Sequence, residues 1–457
     1  MSVTSNNWMG QFNTEILRCL ILDRTTRRNI LWGTDEYIHK GYKASDEISI
    51  SVLAGFLGDI IQPRILKSSR LQQERTRKKG EVFTPSWICN KQNNIVDEAW
   101  FGKENVFNIE LGKEWKTKTN IILFPTKKSR TWKKYIDSKR LEIACGEAPY
   151  LVSRYESVTG EPIVFIDRIG LLDRKIRIVN ENTTDVDTWY TWIIRAYQSI
   201  YGYDVQGDNV IIARMNLLLT FIEAMEYRWQ RKPTVQEVKK IARIISWNIW
   251  QMDAFTLSIP EQKYEVVKCY MNLFSSENET VSATTIPCKI MDWRRDRSIP
   301  VESLKEIYWK GRHAMKFDVI IGNPPYQEET AKKETKNGQK AVKNIFQYFQ
   351  MEADKICKGS IVLIYPGGRW IHQSGKGLKK FGLEQINDPH LKEIIFYPNA
   401  TEVFTEPGIS DGISIVYKNM NKNSKQGGGI IHLFRTWNRA DFSCTISRGE
   451  FIAVKSK

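Results

Sequence analysis

The segment Phe317-Asp318-Val319-Ile320-Ile321-Gly322-Asn323-Pro324-Pro325-Tyr326 constrains the fold more than any other part of the chain. An unbroken apolar run bounded by turn residues suits a parallel strand covered on both faces. Gly322 ends that strand, and the two prolines fix φ and remove backbone donors, so carbonyls at the turn stay free to accept hydrogen bonds. The Asn323 side-chain oxygen is a second acceptor. Two acceptors aimed at one NH2 group hold its hydrogens and draw electron density onto its nitrogen. Tyr326 offers a flat face on which a planar group can stack.

The flanking pattern predicts a doubly wound α/β sheet. From about residue 138, short apolar runs alternate with helical ones. Strands are expected at Leu141–Ala144, Ile163–Ile166, Ile200–Val205, Ile244–Met252, Val319–Ile321, Ile361–Tyr365, Ile394–Tyr397 and Gly412–Tyr417. Helix-spaced apolar residues fill Asn209–Trp229 and Val235–Ile245, and residues 1–80 read as a helical N-terminal region. Glu328–Lys343, charged and Gly-containing, reads as a mobile loop, and Gln426–Gly429 as a turn or linker. The chain thus divides into 1–80, a main domain over 81–417 with helical and ribbon insertions at about 206–300, and a short extension over 418–457.

The 457 residues carry a net charge of +16, and a chain this basic usually meets a polyanion. The charge is concentrated at Arg75-Thr76-Arg77-Lys78-Lys79, at Lys127–Lys134 and at Arg294-Arg295-Asp296-Arg297. The seven cysteines (Cys19, Cys89, Cys145, Cys269, Cys288, Cys357, Cys444) form no CxxC pair, and the five histidines do not cluster. A metal site or disulfide framework is not expected. With no secretory signal and no long apolar run, the expectation is a reduced, cytoplasmic protein without membrane contact.

Further motifs stand around the Asn-Pro-Pro-Tyr turn in a set order. They are Phe83-Thr84-Pro85, then Glu142-Ile143-Ala144-Cys145-Gly146-Glu147-Ala148-Pro149 after a strand, then Tyr201-Gly202-Tyr203-Asp204-Val205, then Asn248-Ile249-Trp250-Gln251-Met252-Asp253-Ala254-Phe255. An acid just past a parallel strand can bind both hydroxyls of a ribose, by the same logic as in dinucleotide folds. In this order the motifs resemble the adenine-N6 DNA methyltransferases of restriction–modification systems, Asn-Pro-Pro-Tyr type, over roughly residues 80–417.

The resemblance implies a Rossmann-like S-adenosylmethionine-dependent methyltransferase sheet and a methyl transfer from that cofactor to N6 of an adenine flipped out of double-stranded DNA. It makes Asn323, Pro324, Pro325 and Tyr326 catalytic. It gives Thr84, Glu142, Ala144, Cys145, Gly146, Asp204 and Asp253 to the cofactor, with Asp208 and Asp292 as alternatives to the two later acids. Tyr326 and Phe404 would clamp the extruded base. The glycine loop departs from the family pattern at Ala148-Pro149, where a second glycine is usual. A restriction endonuclease or specificity subunit is the implied protein partner. The rival readings are methylation of a protein glutamine or an RNA base, and a nucleic-acid-binding relative without catalysis.

Overall fold

The computed structural model describes residues 12–455 except 55–59, 80–81, 83, 269–279, 307, 310–311, 335–339, 375–376, 405–408, 410, 422–429, 434–441 and 448–449. Its centre is a sheet of strands β1 (Arg140–Ile143), β2 (Ile200–Asp204), β3 (Ile249–Gln251), β4 (Phe317–Gly322), β5 (Cys357–Pro366), β6 (Leu391–Tyr397) and β7 (Ile413–Asn419). Further strands β8 (Ile430–Leu433), β9 (Phe442–Ser447) and β10 (Glu450–Lys455) extend it, giving the order β10-β9-β8-β6-β7-β5-β4-β1-β2-β3. Strands β3, β2, β1, β4 and β5 run parallel, and β7 is antiparallel to both of its neighbours, β5 and β6. This is the doubly wound, Rossmann-like sheet that the resemblance implied.

Chain order reverses at β1. One half of the sheet grows outward through β2 and β3, the other through β4 and β5. In such sheets the crevice at the carboxyl ends of the strands flanking the reversal is where ligands bind. Every residue of β1 and β2 is buried, as expected where helices cover both faces. Those helices include α3 (Ser86–Phe101), α4 (Leu171–Asn182), α5 (Val186–Gln198), α6 (Gly207–Trp229), α7 (Val235–Asn248) and α8 (Phe346–Ile356), after α1 (Thr14–Ile21) and α2 (Ser69–Lys79) near the N-terminus. Local chemistry sets their ends. Thr234 and Glu237 close a reciprocal capping box on α7, and Asp185 accepts from the Thr188 N–H at the start of α5.

Several expected elements differ. Ile163–Ile166 is not a strand. A short 3-10 turn occupies Phe165–Asp167, Val164 and Ile166 are exposed, and Phe165 instead packs against Tyr227 at 4.9 Å. Helix α7 runs on to Asn248, so the third strand is only Ile249–Gln251 instead of Ile244–Met252. Ile241, Ala242, Ile244 and Ile245 are the buried face of that helix, and a short apolar run does not separate a helix from a strand. The expected loop Glu328–Lys343 contains an antiparallel pair, Gln327–Glu334 with Lys340–Asn344. The ribbon expected around Asp292 is present as Lys289–Asp292 paired with Arg297–Pro300. Gln426–Gly429 lies outside the described residues.

The N-terminal residues are built into the central core. The Gln251 side chain accepts from the Leu31 N–H at 2.9 Å and donates to the carbonyls of Leu31 and Val205 at 2.9 Å each. Arg214 on α6 donates to the carbonyls of Leu20, Leu22, Ile249 and Ser246. This contact requires glycine at 207, because a Cβ there would stand 1.8 Å from the Leu31 carbonyl oxygen. Gly207→Ala should therefore cost about 1–3 kcal/mol as the backbones are pushed apart. A fall in the urea unfolding midpoint checks this, and an unchanged midpoint would mean that the segment around Leu31 is not held as described.

Candidate cofactor and amine site

A cavity of about 450 Å³ opens at the carboxyl ends of β1, β2, β3 and β4. Each strand contributes residues at or just past its end: Ala144, Cys145, Gly146 and Glu147 from β1, Asp204, Val205 and Gln206 from β2, Met252–Phe255 from β3, and Asn323 and Pro325 from β4. Val82 and Thr84 close one side, and Gly33, Ile345 and Phe349 border it elsewhere.

The loop after β1 turns through three left-handed residues at alternate positions, Ala144 (φ 47°), Gly146 (φ 52°) and Ala148 (φ 65°). At Ala148, where the pattern usually has a glycine, the backbone is left-handed all the same. Each alanine holds a conformation that costs an L-residue about 1–2 kcal/mol. Space opposite the Gly146 α-carbon is open, with nothing within 4 Å of where a Cβ would stand. Glu142 is fully buried beneath the loop and accepts from the N–H groups of Tyr150 at 3.5 Å and Leu151 at 3.2 Å. Burial pushes its carboxyl well above the usual range, and those two N–H groups offset only part of the rise.

Asp204 ends β2 with its carboxylate fixed at both oxygens. Oδ2 accepts from the Gly146 N–H and Oδ1 from the Gln206 N–H, each at 2.9 Å. A carboxylate has about four acceptor positions, so it can take further donors. Asp208, the alternative, lies away from the cavity and is engaged by Tyr37, Lys67 and Arg75. Of the two candidate acids of the third motif, Asp253 borders the cavity and Asp292 does not. Asp253 Oδ1 accepts from the N–H groups of Phe255 at 2.8 Å and Thr256 at 3.2 Å, whereas Asp292 is buried in the ribbon beside Arg295.

At the end of β4, Gly322 has φ 155°, and a Cβ there would meet the Ile143 carbonyl oxygen at 2.6 Å. Glycine thus lets β4 approach β1 closely just before Asn323. The Asn323 Nδ2 donates to the Val82 carbonyl at 3.1 Å and to Thr84 Oγ1 at 3.0 Å. Its Oδ1 is buried and accepts no hydrogen bond. The sequence reading put open ring faces at Tyr326 and Phe404. Here both rings are buried and neither borders the cavity. Burial raises the Tyr326 hydroxyl above the range of an ordinary tyrosine, and the neighbouring Asn323 amide offsets part of that rise.

The cavity also takes in Gly33, Phe255 and Phe349, to which the sequence reading gave no role. Phe255 follows the acid of the third motif, is half exposed, and packs its ring 5.8 Å from that of Phe349. Its place two residues past Asp253 was the available signal. Gly33 carried none, because it reaches the cavity through contacts with Val205 and Gln251 that are distant in sequence.

A 118-residue stretch is 32% identical to an uncharacterized adenine-specific methylase of Mycoplasma pneumoniae, covering 26% of this chain and 26% of that protein. Among solved structures, the DNA complex of the Type IIL restriction-modification enzyme MmeI superposes with a TM-score of 0.40 at 13% identity, over 97% of this chain and 51% of that one. The M protein of the type I restriction enzyme EcoKI gives 0.36 at 11% identity, over 95% and 69%. The chain thus spans about a quarter of the curated relative and about half of the MmeI chain. Residues 198–404, which hold Asp204, Asp253 and the Asn323–Tyr326 turn, match the sequence profile of the Eco57I restriction-modification methylases. That match covers less than half of the chain and is a similarity to the Eco57I restriction-modification methylases over those residues.

Proposed function

We propose that this chain is a site-specific adenine DNA methyltransferase of a restriction–modification system, using S-adenosylmethionine to methylate N6 of an adenine flipped out of double-stranded DNA. The observation that carries the reading is the Asn323 Oδ1, a buried acceptor without a partner at the cavity wall. An unsatisfied buried acceptor costs about 1–3 kcal/mol, and a ligand NH2 group would relieve that cost.

The residues present fit an adenosyl amino acid. About 450 Å³ lies within the usual range of small-ligand sites. Asp204 would accept from the ribose hydroxyls, and Asp253 with Phe255 would border the adenine. The open loop at Gly146, with Glu142 beneath it, would receive the amino-acid end near Thr84. Bound there, the cofactor supplies an electrophilic methyl group. The chain's own task is to hold the target amine still. Asn323 and the Pro324 carbonyl accept its two hydrogens, which leaves the nitrogen lone pair directed at the methyl. Orientation of this kind can replace much of the barrier. Tyr326 and Phe404 would reach the base by leaving their buried positions.

Basic runs would meet phosphates, and a nuclease or specificity subunit would complete the system. The run at 75–79 serves this only in part, because Arg75 is wholly buried in an ion pair. A cytoplasmic location belongs to the same reading; no helix among the described residues is long and apolar enough to cross a membrane.

Methyl transfer from labelled cofactor to DNA, RNA and protein, followed by methylation-sensitive sequencing of DNA from expressing cells, tests the reading. Label in N6-methyladenine at one recurring site is expected. Label confined to RNA or protein would replace the DNA assignment with that substrate. A second test concerns the cofactor acid. Asp204→Asn keeps the shape but removes the charge, and should weaken cofactor binding by about 1.5–3 kcal/mol through loss of charge-assisted hydrogen bonds. Calorimetric titration with unchanged affinity would take Asp204 out of the ribose role.

A further inference from the structure

We propose that Thr84 is a positioning residue for the Asn323 amide, a role that rests on Asn323 being the acceptor for the target amine. Two oxygens fix that amide, the Val82 carbonyl at 3.1 Å from Nδ2 and Thr84 Oγ1 at 3.0 Å. An asparagine amide has two ends of nearly equal shape. Turned by 180°, it would present NH2 to the incoming amine and lose the acceptor on which the chemistry depends. The Val82 carbonyl can only accept, so the turned amide would set two oxygens against each other. Thr84 supplies the second acceptor, and together they take both Nδ2 hydrogens.

Thr84 is itself held in place. It is 2% exposed, and its carbonyl accepts from Ser157 Oγ at 2.5 Å and Cys89 Sγ at 3.7 Å. The link joins parts of the chain 239 residues apart, so the segment before α3 orients a group after β4. While Thr84 Oγ1 accepts from Asn323, its own proton faces the buried Tyr150 hydroxyl, which donates in turn to Gln92 Oε1 at 2.5 Å.

Thr84→Val preserves shape and removes the acceptor, whereas Thr84→Ser restores it. Thr84→Val is expected to lower kcat about tenfold or more, because misplacement by an ångström can cost on the order of 10²-fold. Cofactor affinity should stay within about threefold, and Thr84→Ser should recover kcat to within about threefold of the unmodified chain. The side-chain amide protons of Asn323, assigned by their loss in Asn323→Asp, give a readout that needs no substrate. Their solvent exchange should accelerate in Thr84→Val and remain slow in Thr84→Ser. Unchanged exchange in Thr84→Val, or a loss confined to cofactor affinity with normal kcat, would overturn the positioning role. If no variant methylates DNA but exchange accelerates in Thr84→Val alone, the positioning role stands and the DNA reading falls.

Discussion

Asn323→Ala is expected to abolish methyl transfer, lowering it at least about 10²-fold, the scale seen when one pre-organised polar group is removed from a reacting centre. Cofactor affinity should be nearly unaltered, because the amide faces the Val82 carbonyl and Thr84 with one end and its unpaired oxygen borders the cavity with the other. The fold should lose little, since the two oxygens left without Nδ2 lie beside a cavity that admits water. Single-turnover transfer of labelled methyl, alongside calorimetric cofactor titration, separates the two effects. Retention of more than about a tenth of the rate would remove Asn323 from its role.

The position of Asn323 at the cavity was legible in the sequence because what sets it is local. A strand that must end against its neighbour needs glycine at 322, and the asparagine follows at once. The same holds for Asp204 and Asp253, each at the carboxyl end of a parallel strand whose place in the sheet follows from chain order. The loop after β1 was half legible. Its left-handed turns persist at Ala144 and Ala148, although alanine gives no sign of them in the sequence. The pair Gln327–Glu334 with Lys340–Asn344 was read as a loop although Asn337-Gly338, a strong hairpin signal, stands between its strands.

Long-range partners were not legible. Nothing local in Arg75-Thr76-Arg77-Lys78-Lys79 distinguishes Arg75, which is fully buried, from a solvated charge. Its partner lies 133 residues away. The aromatic pair Tyr326 and Phe404 shows the same limit: a flat ring near a catalytic turn can face the substrate or the core, and here both rings are in the core.

Asp208→Ala should be the most destabilising of these substitutions, by about 3–5 kcal/mol, the usual cost of removing one partner from a buried ion pair. Asp208 and Arg75 are wholly buried, and Lys67 nearly so. Asp208 Oδ2 accepts from Tyr37 Oη at 2.7 Å, Lys67 Nζ at 2.8 Å and Arg75 at 2.9 Å, while Arg75 also pairs with Glu36 at 2.9 Å. Two cations thus face two carboxylates, and alanine would leave one positive charge unbalanced away from water. Removing the opposing charge should recover part of the loss, so Asp208→Ala with Lys67→Met should be more stable than the sum of the single changes. The network also sets an acid limit. Burial alone would raise the Asp208 carboxyl, but Arg75 and Lys67 outweigh it and hold it well below the usual carboxylate range. A depressed folded-state pKa stabilises the protein fully above the unfolded value of about 3.9, and the contribution is lost progressively as pH falls below it. Urea midpoints should therefore drop below about pH 4 in the unmodified chain. The difference between it and Asp208→Ala should be largest near neutral pH and narrow in acid. A difference that stays constant from neutral pH to pH 3 would show that Asp208 contributes through packing and not through its charge.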